Sequence, residues 1–194
     1  LNVQFTEAEG LFLPDTYLFI PGSSDLVVYQ QAHAAMMRYL EKVWAQRQAG
    51  LPLKTPYEAL ILASIIEKET NYNPEKTRMA GVYLNRLRDS IPLQADPTIV
   101  FALGDFEIRR VLYGHLQVDS PYNTYKNLGL PPGPIFMPSI ASIEAVLNRE
   151  QHDYLYFCAR PTEDGPGHAY ASSLPAHNEN ARRYQRWLDA QGIR

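Results

Sequence analysis

The segment that most constrains the fold is PYEALILASIIEKET, residues 56–70. It opens with a full helix-start signature. Thr55 can cap, Pro56 takes the first helical position, and Glu58 completes a capping box. The turns that follow are apolar almost all round, through Leu60, Ile61, Leu62, Ala63, Ile65 and Ile66. A helix with no polar face has nothing to give to water, so other elements must enclose it. A chain of 194 residues, 45% hydrophobic and 20% charged, can build that enclosure without disulfide or metal staples.

The enclosing elements can be read from caps and periodicity. Residues 1–22 read as an extended entry segment leading from a preceding domain, with TYLFI (16–20) as a strand and Pro21-Gly22 as a turn. A helix is expected over 24–48, capped by Ser24 and closed by Gly50. Asn73-Pro74 starts another helix to about Asp89, with Met79, Val82, Tyr83 and Leu87 on its core face. From Pro92 to Pro138 the texture turns to Pro, Gly, Asn and Tyr, leaving room for helical turns only at 97–103 and 107–113. A long irregular stretch inside a compact domain is commonly functional. Ser139 caps a helix over 140–149. Residues 154–160 and 168–173 form a hairpin around PTEDGPG, and a last amphipathic helix covers 175–190. The expected class is α+β, mostly helical, with a small antiparallel sheet.

Charge and special residues narrow the function. A net charge of −3 supplies no basic footprint for nucleic acid. Cys158 is the only cysteine, which excludes an intrachain disulfide and Cys-based zinc sites. The histidines His33, His115, His152, His168 and His177 show no paired ligand spacing, so neither metal nor cofactor is expected. No signal peptide or membrane-spanning stretch is visible. The first residue is not Met, so a fragment is expected, with an upstream anchor left open.

Two carboxyls near the end of the apolar helix invite catalysis. At ~100° per residue, Glu67 shares a face with Leu60, Ala63, Ser64 and Asn71, and the two small residues leave room for a ligand. A carboxyl against apolar surface favours its protonated form, the state a general acid needs. Glu69 points nearly the opposite way, with Leu62 and Ile65, and reads as structural, paired with an arginine. The competing reading makes Glu67 itself a structural partner of Arg or Lys. Downstream, Gln94, Asp96, Tyr122, Asn123 and Tyr125 form a polar and aromatic set suited to sugar hydroxyls, acetamido groups and ring faces. The alternative for these is turn chemistry, since Asp96-Pro97 and Ser120-Pro121 both look like helix or turn starts.

The motifs EGLFLPDTYLF (9–19), LASIIEKET (62–70), LNRL (84–87), LQADPT (93–98), SPYNTY (120–125), GLPPGPI (129–135), DYLYF (153–157) and SLPAHN (173–178) follow one another across nearly the whole chain. Together they resemble the YceG-like family, the MltG-type endolytic murein transglycosylases. The resemblance implies a catalytic domain over 23–194 that cleaves the β-1,4 bond between N-acetylmuramic acid and N-acetylglucosamine in nascent peptidoglycan. The product carries a 1,6-anhydromuramyl end, so the reaction is a lyase reaction that terminates strand elongation. It places the catalytic Glu at Glu67 and the protein, through a missing N-terminal anchor, at the extracytoplasmic face of the bacterial membrane. Glycan strands are the implied partner, with peptidoglycan synthases as candidates. A looser similarity to Slt-type transglycosylases and goose-type lysozymes concerns the order Glu, Gln94, Tyr122-Asn123, although Lys68 replaces their Ser and PLQ their Gly-rich Gln motif. In the resulting mechanism Glu67 protonates the leaving oxygen, then takes the proton from the muramyl 6-hydroxyl as that oxygen attacks the anomeric carbon. Two alternatives stay open: a muramidase using Asp96 as second carboxylate, and a non-catalytic glycan-binding module. His168 and His177 are implied as neighbours of the site.

Overall fold

A computed structural model describes residues 8–108 and 110–193. The apolar helix is α2, Pro56–Glu69, and it lies at the centre of the molecule. Residues 59–66 are buried without a break. Leu60, Leu62, Ile65 and Ile66 are completely buried, each worth roughly 1.5–3 kcal/mol of removed apolar surface. Thr55 caps as expected, accepting from the Glu58 N–H at 3.2 Å. The Glu58 carboxylate, however, reaches back to the N–H of Lys54 at 2.5 Å, one residue beyond the partner a capping box uses.

Four helices enclose α2: α1 (Asp25–Ala45), α3 (Lys76–Arg88), α4 (Asp96–Leu103) and α5 (Ile140–Leu147). Ser24 and Ser139 cap α1 and α5 with their side chains. α1 ends earlier than Gly50 suggested. The N–H groups of Gln46 and Arg47 take the carbonyls of Val43 and Trp44 and tighten the last turn. Arg47 also donates to the Trp44 carbonyl through Nη1 and covers its ring at 4.0 Å. Asn73–Glu75 form a single 3-10 turn before α3 begins.

The sheet among the described residues is one hairpin, β1 (Tyr156–Ala159) with β2 (His168–Ala171), pairing Tyr156 with Ala171 and Ala159 with His168. α6 (Leu174–Ala190) packs across it. The class is α+β and mostly helical, as the sequence predicts. Asn85 fastens the hairpin to α3: its buried Nδ2 donates to the carbonyls of His152 and Tyr154 at 2.8 and 3.0 Å.

Three local expectations fail for physical reasons. Residues 16–20 form no strand because no sheet edge is beside them, and Leu18, Phe19 and Ile20 face outward. The described part of 107–113 holds no helical turn; the nearest is a 3-10 turn at His115–Gln117. The room expected beside Ala63 and Ser64 is filled. Both are fully buried, and Ser64 Oγ donates to the Ile61 carbonyl while accepting from the Ile135 N–H at 3.0 Å.

Gly81 marks the closest approach between α3 and the segment leading to the hairpin. A Cβ there would lie 2.5 Å from His152 Nε2 and 2.8 Å from the Glu150 carbonyl oxygen. The backbone oxygen cannot swing aside, so Gly81→Ala is expected to destabilise by about 1–3 kcal/mol through overpacking. A urea-denaturation midpoint equal to the wild type's would contradict this contact.

Candidate active site

α2 ends at Glu69, and Thr70 leaves in an extended conformation. The last turn therefore projects beyond the tightly packed centre, and its two carboxyls meet very different surroundings. Glu67 turns toward α5. Its Oε2 accepts from Lys76 Nζ (3.1 Å), the Ser139 N–H (3.1 Å), Ser139 Oγ (2.6 Å) and Ser142 Oγ (2.5 Å). Burial pushes its pKa upward, but the hydrogen bonds from Ser139, Ser142 and Lys76 outweigh burial and bring it down to about 2. Hydrogen bonds of this kind strongly favour the ionised carboxylate.

Glu69 has the opposite character. Burial raises its pKa to about 7. The Tyr83 hydroxyl, donating to Oε1 at 2.5 Å, works against that rise. The charge of Asp96 adds to it and that of Arg86 opposes it. Glu69 is half-buried, and it lines two cavities at once. The larger, about 680 Å3, has an apolar wall of Val100, Phe101, Phe106, Ile135 and Phe136, with Lys68 over the Phe136 ring at 4.5 Å. The smaller, about 320 Å3, is lined by Arg86, Gln94, Tyr125, Tyr156, Phe157 and His177 among others. Asp96 also belongs to both walls, so Glu69 and Asp96 stand where the two cavities meet. Among the described residues that line these cavities, Glu67 has no place in either.

The residues predicted for substrate binding divide in the same way. Gln94, Asp96 and Tyr125 are brought together in the cleft. Gln94 occupies left-handed backbone at φ 53, a conformation that costs a non-glycine residue about 1 kcal/mol or more. Its N–H is fixed by the Thr124 carbonyl and its side-chain oxygen accepts from Arg86 at 3.3 Å. Tyr125 donates to Asp96 Oδ1 at 2.5 Å. Tyr122 and Asn123 lie elsewhere. Asn123 is completely buried, donating to the carbonyls of Leu116 and Val118 and accepting from the Tyr125 N–H at 3.0 Å. With its donors and acceptor engaged, it shapes the loop that carries Tyr125. Tyr122 packs on Phe101 with ring centroids 4.7 Å apart, behind the cavity wall.

The expected histidine neighbours also separate. His177 lines the smaller cavity. His168 Nδ1 is 2.8 Å from the buried Glu75 carboxylate, which also accepts from Thr70 and Tyr170, so it joins the hairpin to the turn before α3. Sequence reading places Tyr83 on a core face and Arg86 in the LNRL motif, but assigns neither to the site. Their signal is the helical spacing of α3, which carries Tyr83 and Arg86 to the α2 side of the cleft.

The fold and cleft define a helical α+β domain built around a central helix that delivers a protonatable carboxyl to an open groove. The model of the YceG-like family matches residues 2–183, and the chain belongs to that family. It is 34% identical over 181 residues to a Bacillus subtilis protein named endolytic murein transglycosylase, covering 91% of this chain and 48% of the relative. A Streptococcus pneumoniae protein of the same name is 33% identical over 181 residues, covering 91% of this chain and 32% of that relative. The chain thus spans less than half the length of both relatives. A crystal structure of a yceG-like protein from Listeria monocytogenes superposes with a TM-score of 0.73 at 36% identity, over 88% of this chain and 53% of that one.

Proposed function

We propose that this domain cleaves the glycan strands of peptidoglycan as an endolytic lytic transglycosylase, with Glu69 as its acid and base. The observation that carries this reading is the carboxyl with a pKa near 7 at the junction of two open cavities, where a polymer can pass on both sides of the scissile bond. The names of the relatives supply the substrate class. In this reading Glu69 takes the role expected of Glu67, whose carboxylate is covered by Lys76 and two serines.

In this reading the strand lies across the cleft with the β-1,4 bond between N-acetylmuramic acid and N-acetylglucosamine over Glu69. Protonated Glu69 gives its proton to the leaving oxygen. The muramyl 6-hydroxyl then attacks the anomeric carbon and returns a proton to the Glu69 carboxylate. The 1,6-anhydro bond closes and the acid is regenerated without water. Intramolecular attack brings a high effective concentration of nucleophile. The Asp96 carboxylate holds the Glu69 proton through its charge and faces the positive charge that develops on the sugar. Tyr125 fixes Asp96, and Gln94 presents its amide to the strand. Work on the wall places the domain outside the cell membrane; no helix among the described residues is long and apolar enough to cross one.

Mass analysis of digested strands tests the reaction type. Anhydromuramyl ends are expected. Reducing ends would instead assign Asp96 to the delivery of water, the muramidase reaction. The pH profile tests the acid. Because the protonated form acts, kcat/KM should be level below pH 7 and fall tenfold per unit above the Glu69 pKa of about 7. A rate that stays level to pH 9 would remove Glu69 from the role.

A further inference from the structure

Arg86 is a buried cation within the electrostatic reach of Glu69 but in no direct ion pair with it. It is 7% exposed. Nε donates to the Leu155 carbonyl at 2.7 Å, and Nη1 to the carbonyls of Leu93 and Pro92 at 2.7 and 3.2 Å and to Gln94 Oε1 at 3.3 Å. Among the described residues, Nη2 donates no hydrogen bond, and no carboxylate oxygen lies within ion-pair distance of the guanidinium. A buried charge with no direct ion pair is costly unless something else satisfies it. Arg86 forms part of the wall of the smaller cavity. One polar atom of that wall is buried and unsatisfied: among the described residues, His177 Nδ1 has no hydrogen-bond partner. Both groups flank Tyr156, the guanidinium 5.4 Å from the ring centre and the imidazole stacked on it at 5.4 Å. Burial and the Arg86 charge keep the His177 pKa below its ordinary value, so the neutral ring can present an N–H at Nδ1.

We infer that the smaller cavity is a subsite for an anionic group of the substrate, a carboxylate held by Arg86 Nη2 and His177 Nδ1. The inference rests on the glycan-cleaving reading above. N-acetylglucosamine has no acidic substituent, whereas N-acetylmuramic acid carries a carboxyl carbon on its 3-O-lactyl arm. The cavity therefore receives the muramyl side of the scissile bond and fixes the direction in which the strand lies. The carboxylate has two sources: the free lactyl group of a peptide-free strand, or a stem peptide attached to it. The acid form of Glu69 that the reaction uses carries no charge to oppose the bound carboxylate.

The test compares kcat/KM on three preparations: peptide-free strands with free lactyl carboxylates, the same strands with those carboxylates converted to neutral amides, and strands with intact stem peptides. Amidation should lower the wild-type kcat/KM roughly tenfold, mainly through KM, the loss of one charge-assisted hydrogen bond. His177→Gln and Arg86→Gln should shrink that ratio toward one. Arg86 also ties loops together, so its variant is checked by circular dichroism; if it fails to fold, His177→Gln decides alone. Peptide-bearing strands that match the free-acid strands, and lose the advantage in the variants, assign the carboxylate to the peptide. A disadvantage equal to that of the amides assigns it to the lactyl arm. Equal wild-type rates on free-acid and amidated strands, or an unchanged ratio in His177→Gln, would overturn the subsite. A wild type that cuts no strands at all would overturn the glycan-cleaving reading itself, a separate result.

Discussion

Glu69→Gln is expected to lose between about 10²- and 10⁴-fold in turnover of glycan strands, the usual contribution of a positioned acid and base. The amide keeps the shape of the side chain and can still accept from the Tyr83 hydroxyl, so the loss does not arise from a disturbed cleft. The same change should make the protein more stable above neutral pH. In the folded state the Glu69 pKa is about 7, above its ordinary value of 4.5. A raised carboxyl contributes most below the unfolded-state value, and that contribution is lost as pH rises through the folded value. Above pH 7 the native protein therefore carries a half-buried charge that, screened in part by the open cleft, costs roughly 1–3 kcal/mol. Removing that charge should raise the Tm at pH 8 while silencing the enzyme, the opposite pairing to a variant that merely unfolds. A Glu69→Gln protein that cleaves normally, or that melts lower at pH 8 than the wild type, would contradict this.

The second large effect belongs to Glu67 and runs the other way. Glu67→Ala should cost about 3–5 kcal/mol of stability, because it leaves the Lys76 ammonium, 4% exposed, enclosed without its partner. It also removes the acceptor that Ser139 and Ser142 share at the start of α5. The pH dependence has a definite sign. The folded-state pKa of about 2 lies below the ordinary 4.5, so the contribution is complete above pH 4.5 and is lost as pH falls through about 2. Urea denaturation at pH 7 and pH 2 should find wild type and Glu67→Ala far apart at the first and close together at the second. Equal stability at pH 7 would show that the Lys76–Glu67 pair holds nothing together.

These two residues also show where sequence reading reaches its limit. The caps at Ser24, Thr55 and Ser139 were legible because capping needs only neighbours along the chain. The burial of α2 was legible because its apolar surface leaves no alternative. The surroundings of Glu67 and Glu69 were not. A helical projection gives the angle between two side chains, but it does not say which element lies against each. Small Ala63 and Ser64 suggested an open side, yet the Ile135 backbone and α5 occupy it. Leu62 and Ile65 suggested a closed side, but the packing above them ends before the last turn, and Glu69 opens into the cleft. Asn123 illustrates the converse: an amide in a Tyr-Asn motif suits a sugar, but three bonds to its own loop occupy it. Gln94, Asp96 and Tyr125, from the entry to α4 and the loop after Asn123, line one groove.

The most direct measurement of the central claim sets Glu67→Gln beside Glu69→Gln on the same purified glycan strands, with product per folded molecule read by mass spectrometry. Anhydromuramyl product should persist from Glu67→Gln, at a rate set by how much of it is folded, and vanish from Glu69→Gln although that protein is fully folded. Product from Glu69→Gln at the wild-type rate, with none from folded Glu67→Gln, would return the catalytic role to Glu67 and contradict the account.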